Sequence, residues 1–548
     1  MTSTAPAPVS APAPAPVSWD DLVAAALLGT ERRTPPVAAR PGQDAASALL
    51  DAAALSTVRR RAGLRPAPAR PGPAPAPEDP RPPLPPAARS RLAMLLADRS
   101  SPGRSGPRSA PDLAELLPQW LALANQHGYR APDALLPTLL DAARARTDLR
   151  PEALALGGPR ALWLARLNPD WKFALRGGPG RGTAPASEPG GTADVRRQWE
   201  EGLFAERVSL LARTRHRDPA AGLALLDGTW STERAEDRLM FLDSLRDDLA
   251  PSDEPFLEQA LSDRSRNVRA TAAELLAALP GSAFAARMAE RSAACVSLSP
   301  ATSPATGQIT VDAPARCDSG MQRDGVVPKP PSGRGERSWW LSQLVEATPL
   351  ACWSERFGGL DADRIVALPV ADGWQADLHA AWCRAAVRQR SAEWSRALLG
   401  SPGAPPVAAG EPAAAIWRDP AKLLSALPAE ERAQWVADFI ASHGLSDAFR
   451  LLGVCAVPWA EPLGGAVVDA LDIARDAGSY PWSFSGIMGL AERCLDPAQA
   501  DRLEVLTALP DEPEGAAPGA GGYWSEAFQR LVGTLRLRAA MRSELAGT

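Results

Sequence analysis

The chain has 548 residues, 45% of them hydrophobic and 22% charged, with a formal net charge of −5. That length holds about three or four average domains or one long array, and the apolar share suffices for ordinary cores. The acidic balance argues against nucleic acid as the main partner, and no apolar run reaches the ~20 residues that a membrane span needs.

The first 17 residues are an Ala/Pro arm, expected to be disordered rather than a signal segment. Ser18 stands where a helix cap belongs, and Leu22, Val23, Ala26 and Leu27 then share a helical face. A second helix is expected from about Asp44 to Arg61. Its basic end, Arg59 to Arg61 with Arg65 and Arg70, reads as a solvated terminus. Residues 65–87 are Pro-rich and expected as an extended linker within an N-terminal helical region spanning 18–175. Residues 176–194 form another linker. It holds Gly178, Gly180 and Gly182, but no strand precedes them and no helix follows to hold a phosphate.

Helices become regular over 195–295. Within this stretch, Phe256, Leu257, Ala260 and Leu261 fall on one face, Ser262 to Ser265 break the helix, and Val268, Ala272, Leu275, Leu276 and Leu279 form the next stripe. Ser252 and Asn267 are placed to cap these helices, and Ser282 to cap a third. A short helix pair cannot bury such stripes alone, so stacked neighbours are implied. Residues 296–337, rich in Pro, Ser, Gly and Asp, are expected as a disordered insert, with Gln308 to Val311 the one strand-like alternation. A C-terminal helical repeat region follows over 338–548. The fold expected is all-α: a HEAT-like α-solenoid in two helical blocks with Pro/Gly-rich disordered linkers.

Motifs for chemistry are sparse. Six Cys (295, 317, 352, 383, 455 and 494) show no C-x-x-C spacing, which fits reduced thiols in a cytoplasmic protein. His379 and Cys383 lie four apart on an expected helix and could share a metal, but a packed core pair is the preferred reading. No P-loop, H-E-x-x-H or G-x-S-x-G sequence occurs. Trp120, Trp163, Trp382, Trp394 and Trp435 fall within helical patterns and read as filling between packed helices. Asp263 in the turn and Arg269 in the helix after it are read as structural residues bonding across neighbouring turns. Arg264, Arg266 and Arg269 offer an alternative, an anion-binding edge.

Asp253-Glu254-x-Phe256-Leu257-Glu258-x-Ala260-Leu261-x-Asp263-Arg264-Ser265, followed by Val268-Arg269, Ala272-Ala273, Leu275-Leu276 and Leu279-Pro280-Gly281-Ser282, resembles a HEAT-type repeat. It is similar to the version in an actinobacterial family with a domain of unknown function. Ala26 to Arg33 resembles that family's opening. Trp163-Leu164-Ala165 with Asn168-Pro169-Asp170-Trp171 resembles its middle. The resemblance covers nearly the whole chain and brings no catalytic residues. It implies a scaffold or adaptor in a MoxR-type AAA+ ATPase and von Willebrand factor A system.

The expected function is therefore a non-enzymatic, cytoplasmic, bacterial scaffold that binds proteins and needs no cofactor. A nucleic-acid-binding protein or DNA glycosylase of the HEAT-like kind is the alternative, and a metalloenzyme around His379 and Cys383 is a third. Partner identity, binding face and oligomeric state stay open at this level.

Overall fold

The computed structural model describes residues 17–35, 37, 39–62, 73–98, 111–176, 192–202, 204–299, 307–403, 419–509 and 519–547. The protein is all-α, about 70% helical, with one two-stranded sheet among the described residues. It divides into two compact units, Met1–Ala76 and Pro77–Thr548. The division falls within the Pro-rich stretch 65–87, inside the N-terminal region expected over 18–175. Of the arm expected over 1–17, residues 1–16 lie outside the described residues.

The first unit pairs the helices Trp19–Leu28 and Ala45–Ala62 around Leu22, Ala25 and Leu49. The Arg60 guanidinium lies 5.1 Å from the Trp19 ring centre, a cation–π contact joining the start of one helix to the end of the other. Ser18 takes the extended backbone of a cap, but its side chain makes no capping bond.

The second unit opens earlier than its Pro-rich sequence suggests. Residues 79–84 belong to the fold, not to the linker expected over 65–87, of which 65–72 lie outside the described residues. Arg81 fixes them. Its guanidinium pairs with Asp79 at 2.7 Å and donates to the Ala155 carbonyl at 2.7 Å, and Leu84 is buried behind it. Pro is tolerated here because the segment uses its carbonyls: Pro82 accepts from the Arg130 N–H at 3.0 Å, a bond that needs no N–H from proline. Helices Pro86–Asp98, Leu113–Gln126, Leu136–Ala145 and Arg150–Leu167 then enclose a core of Leu92, Leu95, Leu117, Trp120, Leu139 and Leu156. Of the linker expected over 176–194, residues 177–191 lie outside the described residues, and the next helix, Thr192–Glu201, already includes 192–194.

From there each helix packs mainly on the next ones along the chain. The apolar stripes of Glu254–Ala260 and Arg266–Ala277 are buried as their spacing requires. Their ends are held differently from expectation. Neither Ser252 nor Asn267 caps: a short 3₁₀ turn, Pro251–Asp253, precedes one helix, and Ser265 occupies the cap position of the other without a side-chain bond. Asp253 is instead fully buried and pairs with equally buried Arg215 through two bonds of 2.7 and 3.0 Å. Arg215 also donates to the Asp248 carbonyl at 2.7 Å. Gly222 is required beside it, because a Cβ there would stand 2.3 Å from the Arg215 Cγ. Ser282 does cap its helix, accepting from the Ala285 N–H at 3.1 Å.

Arginine–carboxylate pairs recur between elements that neighbour one another along the chain. They include Arg207–Glu233, Arg238–Asp263 at 2.8 Å, Arg246–Glu274 at 2.9 Å, Arg384–Glu346 and Arg396–Glu431. The guanidinium fork suits this use because it binds a carboxylate through two parallel bonds.

The stretch 296–337, expected as a disordered insert, is ordered wherever it is described. Val296–Ser299 and Gln308–Val311 pair antiparallel, and Ser319–Arg323 is a short helix. Val296 and Ile309 are fully buried in the neighbouring core. Asp324 explains the anchoring of the rest. Its carboxylate is fully buried against Arg287 and Arg291 of helix Ala283–Cys295, at 2.9 and 2.7 Å. Burial alone would raise its pKa, but the two guanidinium groups outweigh that and hold it below the ordinary value.

Helix Ala520–Ala546 completes the unit. Trp524, Phe528, Leu531 and Leu535 seal the core formed by residues 424–506. Met541 and Leu545 enter the core formed by residues 84–174. Arg91 pairs bidentately with Glu544 across 453 residues of sequence, and the Tyr129 hydroxyl donates to the Leu545 carbonyl at 2.9 Å. Arg538 is buried; it donates to the Glu492 and Leu495 carbonyls at the end of helix Ser485–Cys494, and burial lowers its pKa to about 10.

Two outcomes follow. Asp253→Ala leaves the Arg215 charge buried and unpaired, and should lower unfolding free energy by about 3–5 kcal/mol, whereas the double change Arg215→Met, Asp253→Leu should cost far less. Denaturant titration of the three variants measures this. Acid should weaken the Asp324 anchor. Its carboxyl lies below 3.8 when folded, so its stabilisation is complete above that ordinary value and is lost as the pH falls below it. Melting curves from neutral to strongly acid pH should therefore fall less for Asp324→Asn than for the parent chain.

Candidate functional site

Helices Ala429–His443 and Glu461–Asp476 lie side by side and leave an open groove of about 890 Å³. Sequence explains the two banks. Glu430 and Glu431 favour the start of the first helix, and Gly444, at φ +85°, ends it. Pro462 opens the second, where a missing N–H costs nothing. Val436 and Ile440 on one helix and Leu463, Val467 and Leu471 on the other turn inward. Their outer faces then carry Ala437 and Ala441 on one bank and Ala466, Ala470 and Ile473 on the other.

Ile473 is 70% exposed at the edge of this groove. The turn 479–484 closes one end, contributing Ser479 and Phe484 to the lining. The same turn carries Trp482, 55% exposed and stacked on Tyr480 with ring centres 3.9 Å apart. The rim is polar. Asp438 stands on one bank, Glu461 and Asp469 on the other, and all three are exposed. Arg502 reaches Glu461 at 3.8 Å and Asp469 at 3.6 Å.

The residues singled out in the sequence lie elsewhere. Asp263 forms an ion pair with Arg238 of helix Ala235–Asp243, taking one hydrogen bond from it at 3.1 Å, and accepts from the Ser265 N–H at 2.7 Å, so it joins one helix to the turn of the next. Arg269 stays within its own turn, donating to the Asp263 and Arg264 carbonyls at 2.7 and 3.1 Å. Arg264 and Arg266 are exposed. His379 and Cys383 are both buried on helix Gln375–Arg388, with the imidazole 5.6 Å from the Trp382 ring centre. Among the described residues no group of three or more His, Cys, Asp or Glu could hold a metal ion. Trp120, Trp382 and Trp394 are buried, and Trp163 and Trp435 half-buried, which leaves little aromatic surface in these five for stacking bases. Burial pushes the Cys455 thiol up to about 11 and raises those of Cys295, Cys317, Cys352 and Cys494, so none is an activated nucleophile. No helix among the described residues is long and apolar enough to cross a membrane.

The groove was not singled out in the sequence. The available signal was the face Pro462, Ala466, Ala470 and Ile473 on a helix whose opposite side is already apolar. What one helix could not reveal is that its neighbour presents a matching face.

A model for a family of unknown function, DUF5691, matches residues 21–545, and the chain belongs to that family. No curated protein and no solved structure matches it.

Ile473 should matter little to folding. Ile473→Ala should change unfolding free energy by no more than about 0.5 kcal/mol, as expected for an exposed site, while Leu471→Ala, two residues away and fully buried, should cost about 2–5 kcal/mol. Urea unfolding of both variants separates the two positions. A large loss at Ile473 would make it part of the core.

Proposed function

We propose that this member of DUF5691 is a cytoplasmic helical-repeat scaffold, a HEAT-like α-solenoid in two helical blocks, which binds other proteins. One observation carries the reading: the groove between helices 429–443 and 461–476 is open, apolar along its floor and polar at its rim. Small-molecule sites bury most of their ligand. A groove open along its length suits a protein segment laid into it, with the floor supplying affinity and the rim excluding wrong partners. The successive packing of helices and the arginine pairs between neighbouring elements support the solenoid part of the reading, since repeat arrays are held by contacts between neighbours. The family resemblance adds a candidate partner, a MoxR-type AAA+ ATPase.

The test is purification of the tagged full chain from its native cells at physiological ionic strength, in parent form and as Ala466→Trp. The parent should bring down a defined protein in near-stoichiometric amount, and the variant, whose indole fills the groove, should lose it while melting at the same temperature. Equal recovery by both would remove the groove from the function, and no partner with either would remove the scaffold.

A further inference from the structure

The rim of the groove specifies what lies in it. We infer that the groove takes an amphipathic α-helix of a protein partner whose margins carry Lys or Arg; this rests on the protein-binding reading above and adds the chemistry of the bound segment. Three observations lead there.

The first is shape. The lining of the second bank runs from Pro462 to Ala477, about 22 Å at the rise of an α-helix, which is four turns of a helix laid alongside. Short side chains at 437, 441, 466 and 470 leave the space between the banks unfilled, so larger side chains of an incoming helix can occupy it. The second is polarity. Ile473 and Phe484 offer apolar contact at one end of the floor, which an incoming helix meets with residues spaced three and four apart.

The third is charge, and it selects the partner. Asp438, Glu461 and Asp469 stand on opposite banks, three carboxylates against the single guanidinium of Arg502. A helix lying between the banks therefore meets carboxylates on both flanks. A basic flank gains attraction on each side and is steered in by the acidic chain as a whole, whereas an acidic flank is repelled from both. Arg502 does not reverse this, because it is already engaged with Glu461 and Asp469.

The experiment uses the full chain and two fluorescent peptides of about four helical turns, with one Leu face in common and either Lys or Glu at every polar position. Fluorescence anisotropy should show the Leu/Lys peptide binding at least about tenfold tighter than the Leu/Glu peptide. Ala466→Trp, or Ala470→Arg should the first variant melt early, should abolish binding. The triple change Asp438→Asn, Glu461→Gln, Asp469→Asn should bring the two affinities together. Equal binding of both peptides to the parent chain, lost with Ala466→Trp, would overturn the charge assignment and leave the protein-binding groove standing. Leu/Lys binding that survives both groove-filling variants would place it elsewhere and overturn the inference, as would no binding of either peptide.

Discussion

The packing of helix Ala520–Ala546 against two separate cores is the interaction on which the larger unit depends. Its first turns close the core of residues 424–506 with Trp524 and Phe528, and its last turns close the core of residues 84–174 with Met541 and Leu545. Residues 77–176 thus find their main partner at the far end of the chain, not in the helices that follow them in sequence. The Arg91–Glu544 pair and the Tyr129 bond to Leu545 fix the register of that contact. Gln119 adds a bond to the Arg493 carbonyl, linking the same segment to helix Ser485–Cys494.

Arginine gives the rest of the unit its order. Pairs such as Arg238–Asp263 and Arg246–Glu274 tie a helix to the turn beside a neighbouring one, and the buried Arg215–Asp253 pair shows the same device without solvent. The exposed pairs contribute little each, since water and salt screen them. The buried one is worth more as a specification of geometry than as net stabilisation, because desolvation offsets much of its attraction. Around the 429–476 groove, Arg502 answers Glu461 and Asp469 on one bank and Asp438 stands on the other, so the exposed rim keeps three carboxylates against one guanidinium.

Helical periodicity made much of this legible. The stripes Phe256–Leu261 and Val268–Leu276 lie where their spacing places them, and the chain is helical through most of the region expected so over 338–548. What escaped was set by partners far away in sequence. Residues 296–337 look disordered by composition because few of them are apolar, yet the burial of Asp324 depends on Arg287 and Arg291, which no local pattern announces. Residues 79–84 look like linker until Arg81 meets the Ala155 carbonyl. The caps offered by Ser252 and Asn267 lost to Asp253 and Asp263, whose stronger bonds to Arg215 and Arg238 fix the turns instead. The groove needs two helices to exist, so neither helix alone could disclose it.

Hydrogen exchange on the full chain carrying Met541→Asp and Leu545→Asp tests the role of the last helix most directly, because it reads each segment separately. Charge placed in the core of residues 84–174 should strip protection from helices Leu113–Gln126 and Arg150–Leu167, while helices Arg266–Ala277 and Ala283–Cys295 keep theirs. Unchanged protection in Leu113–Gln126 would contradict the account, because that segment would then hold its fold without the helix that closes it.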